Sequence, residues 1–192
     1  HWSDVPGLYP SSPLYNPDFS MNYDLKHHRF HTLGGSFTKI FDSFLGLDGV
    51  VLRGEMAAHL EDRATYLYTS AFSDPSNPLG IKMAQTDTVN YLLGLDKFFF
   101  VDYYVSFQFF QFITLDHKDG YISDKIDNSL TLFLSTDYCQ ERILPDLLWV
   151  YSDDGALWFR GRCKLKYSDN WWFNLGINLY FGGNDTLWGQ YS

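Results

Sequence analysis

Residues 156–181 read ALWFRGRCKLKYSDNWWFNLGINLYF, and their alternation decides the fold. In the first half, Trp158, Arg160, Arg162, Lys164 and Lys166 fall on one face, and Leu157, Phe159, Gly161, Cys163, Leu165 and Tyr167 fall on the other. After the break Ser168-Asp169-Asn170 the pattern resumes. Trp171, Phe173, Leu175, Ile177, Leu179 and Phe181 share one face, and Trp172, Asn174, Gly176, Asn178 and Tyr180 share the other. A period of two is the mark of a β-strand, because successive side chains point to opposite faces. Each apolar stripe has about the 9–11 residues that a tilted strand needs to cross a bilayer. Aromatic residues close both ends of the second stripe, where a membrane interface favours them. The pair is predicted to be a transmembrane β-hairpin. Leu157, Phe159, Leu165, Trp171, Phe173, Leu175, Ile177 and Leu179 then face lipid, and Arg160, Arg162, Lys164, Lys166, Asn174 and Asn178 face an aqueous lumen.

The same pattern recurs along the chain. Strands are predicted over 30–41, 49–63, 88–98, 102–115, 128–137 and 143–152, followed by the two above. Over 49–63 Leu52, Gly54, Met56, Ala58 and Leu60 face outward, while Val51, Arg53, Glu55, Ala57, His59 and Glu61 face inward. Over 88–98 Tyr91, Leu93 and Leu95 point out, and Asn90, Gly94 and Asp96 point in. The alternation of 102–115 breaks at Phe110 and Phe112, as at a bulge. Residues 1–29 hold four of the seven prolines and show little periodicity, and are expected to be an irregular extracellular segment. Residues 30–192 are expected to form one domain of barrel strands and loops.

The predicted connectors differ in length. Those at 42–48, 99–101, 138–142 and 168–170 are short; those at 64–87, which contains SDPSNPLG, and at 116–127 are long. The turn Asp153-Asp154-Gly155 is the exception. Outer-membrane barrels have short periplasmic turns and longer extracellular loops. Both ends of the chain then fall on the extracellular side. That parity, with the finish at Gln190-Tyr191-Ser192 instead of an aromatic-ended strand, predicts a piece of a larger barrel. The expected fold is all-β: an antiparallel up-and-down transmembrane β-barrel with about eight strands visible.

Composition agrees. Aromatic residues make up 19% of the 192 residues, with 17 Phe, 14 Tyr and 6 Trp, yet mean hydropathy is only -0.22. Barrels combine these properties, since lipid-facing positions and interfacial girdles use rings while every second residue is polar. No apolar run reaches the ~18 residues of a membrane-spanning helix. A net charge of -9 argues against nucleic acid as a partner, because phosphate binding needs basic surface. Cys139 and Cys163 are the only cysteines and are read as two unrelated thiols.

HHRFHTLGGSF (27–37), GVVLRGEMAAHLEDR (49–63), TVNYLLGLDKFF (88–99), VSFQFFQF (105–112) and NWWFNLGINLYFGGNDTLWGQY (170–191) carry a family resemblance. Across roughly residues 27–191 the chain resembles the C-terminal part of a family of long bacterial outer-membrane proteins whose domain has no assigned function. The resemblance implies a porin-like β-barrel in the outer membrane of a Gram-negative bacterium, and it implies no catalytic residue.

The strongest candidate for chemistry is the strip Arg160, Arg162, Lys164 and Lys166. Four cations on one strand face cannot face lipid, where each costs ~2–4 kcal/mol near the midplane. They either attract anions to a lumen wall or pair with inward acids, for which Glu55, Glu61, Asp96 and Asp146 are available. His27, His28 and His31, with Asp24 nearby, have spacing that a metal could use, but their bland reading is a strand entrance and no metal is expected. Asp116, Asp119, Asp124, Asp127, Asp153, Asp154 and Asp185 lie in predicted loops. They are solvated, bind calcium, or bridge to lipopolysaccharide phosphates through divalent cations, and no loop matches an EF-hand pattern. No Ser–His spacing singles out a nucleophile, and no phosphate loop or CxxC motif appears. The chain is therefore expected to be neither an enzyme nor a cofactor binder.

The functional expectation is porin-like passage of small or hydrophobic solutes through the bacterial outer membrane. The alternatives are a structural barrel that anchors or encloses a partner, and a soluble β-barrel that binds an apolar ligand. The expected partners are the lipid bilayer, lipopolysaccharide, and other barrel strands or subunits.

Overall fold

The computed structural model describes residues 7–10, 23–26, 29–67, 81–100, 102–119, 121, 124–183, 186 and 188. Two short strands, β1 (Gly7–Pro10) and β2 (Tyr23–Lys26), pair antiparallel with Gly7 opposite Lys26. They lie in the segment where periodicity predicts no element, because four-residue strands leave too short a pattern to read. Eight longer strands follow: β3 (His31–Phe41), β4 (Val50–Leu67), β5 (Ile81–Phe99), β6 (Tyr103–Thr114), β7 (Ile126–Ser135), β8 (Ile143–Ser152), β9 (Leu157–Lys166) and β10 (Trp172–Phe181). They form one antiparallel up-and-down sheet in chain order, and β3 and β10 are its two edges. The sheet is not closed into a barrel.

The eight predicted strands coincide with these eight, and the differences lie at the boundaries. The loop expected over 64–87 is shorter: β4 runs to Leu67 and β5 begins at Ile81. The turn-forming cluster SDPSNPLG occupies only 73–80, so the flanks keep their β-competent residues, and the rest of that loop lies outside the described residues. Trp171 sits in the turn before β10, not in the strand. β6 continues as one strand through Phe110 and Phe112. The left-handed strand residue among those described is instead Glu61 in β4, at φ 61°. Its N–H donates to Asp87 Oδ1 at 2.8 Å, so an aspartate carboxylate holds the local distortion.

The chain groups into two compact units. The first takes residues 1–35, 56–90 and 112–127. In it the Leu115 N–H donates to the Asp87 carbonyl at 2.8 Å and the Thr114 N–H to the Lys125 carbonyl at 2.9 Å. The second takes residues 36–55, 91–111 and 128–192 and contains the tight turns. Leu45 and Gly46, at φ 52° and 78°, make a two-residue turn between Phe44 and Leu47, whose N–H groups and carbonyls bond reciprocally. Positive φ at both central residues matches the right-handed twist of a hairpin. Cys139, Gln140 and Glu141 are all left-handed, at φ 56°, 58° and 59°, in the turn closed by the Tyr138–Ile143 bridge. Asp153 and Asp154 have turn duties: Asp153 Oδ2 accepts from the Asn128 N–H at 3.0 Å, and Asp154 Oδ1 from the Ala156 N–H at 2.9 Å.

Burial is inverted relative to a water-soluble domain. Among the described residues the buried apolar side chains are Val50 and Ala156, whereas Thr86, Asp96, Ser106, Thr114, Asp146 and Thr186 are buried polar ones. Large apolar side chains are exposed on inner strands too, including Met56 at 59%, Leu93 at 45% and Phe107 at 43%. Gly54 is covered by the Phe37 ring, which occupies the space a Cβ would need. This is the rescue of a strand glycine by a cross-strand aromatic.

Candidate functional site

The register from β7 to β10 turns single-strand alternation into two surfaces. On one, Leu130, Tyr151, Leu157 and Phe181 form a cross-sheet row, and Leu132, Trp149, Phe159 and Leu179 form the next. Leu134, Leu147, Gly161 and Ile177 follow, then Pro145, Cys163 and Leu175, and then Ile143, Leu165 and Phe173. No charged residue interrupts these rows. The Trp149 and Phe159 rings meet at 5.0 Å between centroids. All the residues expected to face lipid within β9 and β10 stand on this surface. β10, as an edge strand, is exposed on both faces, so its surface is assigned from register, not from exposure.

The opposite surface carries the ionic groups. Asp146 lies directly across from Arg162, accepts from Arg162 Nε at 2.7 Å, and also takes a longer contact of 3.4 Å from Arg160 Nη2. The Asp146 side chain is only 9% exposed, against 29% for Arg160 and 47% for Arg162. One carboxylate therefore serves two guanidiniums. Lys164 stands 5.0 Å from the centre of the Trp172 ring and Lys166 is exposed. Neither has an acidic partner among the described residues. On neighbouring strands of the same unit, Arg53 Nη2 donates to Asp96 Oδ1 at 3.0 Å. The Tyr104 hydroxyl stands beside Asp96 and Ser106, and Gln108 Nε2 donates to Ser106 at 3.1 Å. Phe98, Tyr104, Phe133, Leu144, Asp146 and Arg162 border an open cavity of about 420 Å³ on this surface.

The structure thus brings together Arg160, Arg162, Lys164, Lys166, Asn174 and Asn178 on one surface, as alternation predicts, and joins Arg53 to Asp96. It gives Glu55 no ionic partner among the described residues, and Glu55 is exposed. Of the four acids available to balance the strip, Asp146 alone reaches it. Cys139 and Cys163 are free thiols. No group of three metal-ligating side chains assembles among the described residues, and His27 and His28 lie outside them. Among the described residues no helix is long and apolar enough to cross a membrane.

Residues that sequence reading passes over are the aromatics of the polar surface. Trp158, Tyr180 and Trp188 cluster with centroid distances of 5.3 to 6.3 Å. Trp158 Nε1 donates to Asn178 Oδ1 at 3.2 Å. The signal was present, since Trp158, Trp172 and Tyr180 occupy the polar phase of their strands. Trp188 is brought there by a turn in which Thr186 bonds back to the Gly183 carbonyl through its N–H and its hydroxyl, at 2.9 and 2.8 Å. In comparisons with known proteins, no family model, no curated protein and no solved structure matches this chain.

Proposed function

We propose that this chain forms part of the wall of a bacterial outer-membrane β-barrel, and that its polar surface lines an aqueous passage for small solutes with a bias toward anions. The observation that carries the reading is the inverted burial: six polar side chains are buried among the described residues, while an uninterrupted apolar surface is exposed or half-exposed. A water-soluble protein rarely leaves so large an apolar patch uncovered, whereas a barrel places it against lipid. Dimensions agree. β8, β9 and β10 have ten residues each. At ~3.3 Å per residue and a barrel tilt near 40° they cover roughly 25 Å, the height of a barrel's apolar band. The open edges at β3 and β10 call for further strands or subunits to complete the wall, since unpaired backbone does not persist in hydrocarbon.

The anion bias follows from the charge ratio on β9. Asp146 is the carboxylate bonded to the strip of Arg160, Arg162, Lys164 and Lys166, and with Asp102 and Asp137 bordering the adjoining cavity the cations still outnumber the acids four to three. The field of such a group persists within a Debye length of ~8 Å at physiological salt. The test is to purify the protein in detergent, reconstitute it in planar bilayers and measure the reversal potential in a salt gradient. Replacing Arg160, Arg162 and Lys164 together by Gln should lower the anion-to-cation permeability ratio severalfold. An unchanged ratio in a conducting channel refutes the bias. A second reading, a structural barrel enclosing a partner, draws on Phe98, Tyr104 and Phe133, whose rings pack on the polar surface at 5.0 and 6.1 Å. Absence of conductance in the parent protein would favour it.

A further inference from the structure

The Trp158–Tyr180–Trp188 cluster has no part in a membrane girdle, because Trp158 and Tyr180 belong to the polar phase of β9 and β10. It lies beside Arg160, whose bonding is incomplete. Arg160 reaches Asp146 only through Nη2 at 3.4 Å. Its Nε is buried and without a hydrogen-bond partner among the described residues. That Nε is closed to solvent, so the donors an outside acceptor can meet are those of the terminal NH2 groups, on a side chain that is 29% exposed. Asn178 is the cross-strand partner of Arg160. Its Oδ1 is taken by the Trp158 indole, which leaves its amide NH2 as a second donor on the same surface.

The rings supply the other half of a site. Trp158 and Tyr180 are within 16° of parallel, Tyr180 and Trp188 within 25°, and all three remain half-buried with part of their surface open. The Arg160 guanidinium carbon is 5.9 Å from the Trp158 ring centre. A donor pair suited to a carboxylate therefore adjoins flat apolar faces suited to a ring. We propose that Arg160 and Asn178, with Trp158, Tyr180 and Trp188, bind small aromatic carboxylates. Arg160 and Asn178 hold the carboxylate, and the aromatic cluster stacks the ring. The proposal rests on reading this surface as solvent-lined, and it names the class of anion that lingers there.

The test is isothermal titration of the full chain in detergent with sodium benzoate, against acetate, which lacks the ring, and benzyl alcohol, which lacks the charge. Benzoate should bind saturably, and each comparator at least tenfold more weakly. Trp188→Ala lies outside the strands and spares the sheet, as far-ultraviolet circular dichroism will verify; it should weaken benzoate about three- to tenfold. Arg160→Gln should weaken it about tenfold or more. The proposal fails if the parent shows no saturable benzoate binding, if either comparator matches benzoate, or if Trp188→Ala binds unchanged. Binding is read apart from conductance. A parent that binds benzoate without conducting sinks the passage and keeps the site, and one that conducts but ignores benzoate does the reverse.

Discussion

Two ion clusters on the polar surface of the second unit solve the same problem differently. Between β4 and β5, Arg53 and Asp96 pair one to one, and the carboxylate is also close to the Tyr104 hydroxyl. Between β8 and β9, a single Asp146 is shared by Arg160 and Arg162, while Lys164 and Lys166 carry on the strip without an acid among the described residues. The first cluster is neutral and acts as a strap between strands. The second combines structural anchoring with an excess of cations over the acid bonded to them. A count of inward acids and bases over the whole sequence cannot separate them, because neutrality depends on which strands are neighbours.

The largest expected contrast is in stability. Asp146→Ala takes the shared acceptor from two guanidiniums; Arg162, 47% exposed, turns to water, but Arg160, 29% exposed with its Nε buried, does so less readily, and the loss should be about 2–3 kcal/mol. Asp96→Ala strands one guanidinium whose side chain is already 39% exposed, so Arg53 turns to water and the loss should be nearer ~1–2 kcal/mol. Urea midpoints of the two variants in detergent measure the difference, and equal losses would erase the distinction.

Selectivity gives the next contrast. Asp146→Asn keeps the shape of the side chain but removes the acid bonded to the strip. The anion-to-cation permeability ratio should rise. The double variant Arg53→Gln with Asp96→Asn removes a neutral pair and should leave the ratio where it was. Raising the ionic strength should shrink the first effect, because exposed cations are screened. If the double variant moves the ratio as much as Asp146→Asn does, both clusters contribute to the field. The smallest expected effect is that of Lys164→Met, which loses the cation's contact with the Trp172 ring and should cost only ~0.5–1 kcal/mol at this half-buried position. A loss of several kcal/mol would mean that Lys164 holds a structural partner.

Legibility from sequence followed the same divide. The strict alternation of Leu157–Lys166 and Trp172–Phe181 located both strands to within a residue or two, because period two dictates which side chains share a face whatever the strand's neighbours. The flanks Ala64–Leu67 and Ile81–Asp87 were obscured by the adjacent prolines of SDPSNPLG, whose turn chemistry reads as if it extended further than it does. The left-handed Glu61 had no sequence signal, since it is held by Asp87, a residue on another strand.

What the sequence by itself determined is the set of eight long strands, their meandering order and the segregation of apolar from polar residues onto opposite faces, because these depend on local periodicity and short turns. What only the tertiary structure decided is which charges meet. Asp146 became the shared partner of Arg160 and Arg162 through the register of β8 on β9. Asn178 came opposite Arg160 through the register of β10, and Trp188 joined Trp158 through a turn outside the strands. Ionic and aromatic contacts act over a few ångströms, and residues far apart in the chain come that close only when pairing fixes their register.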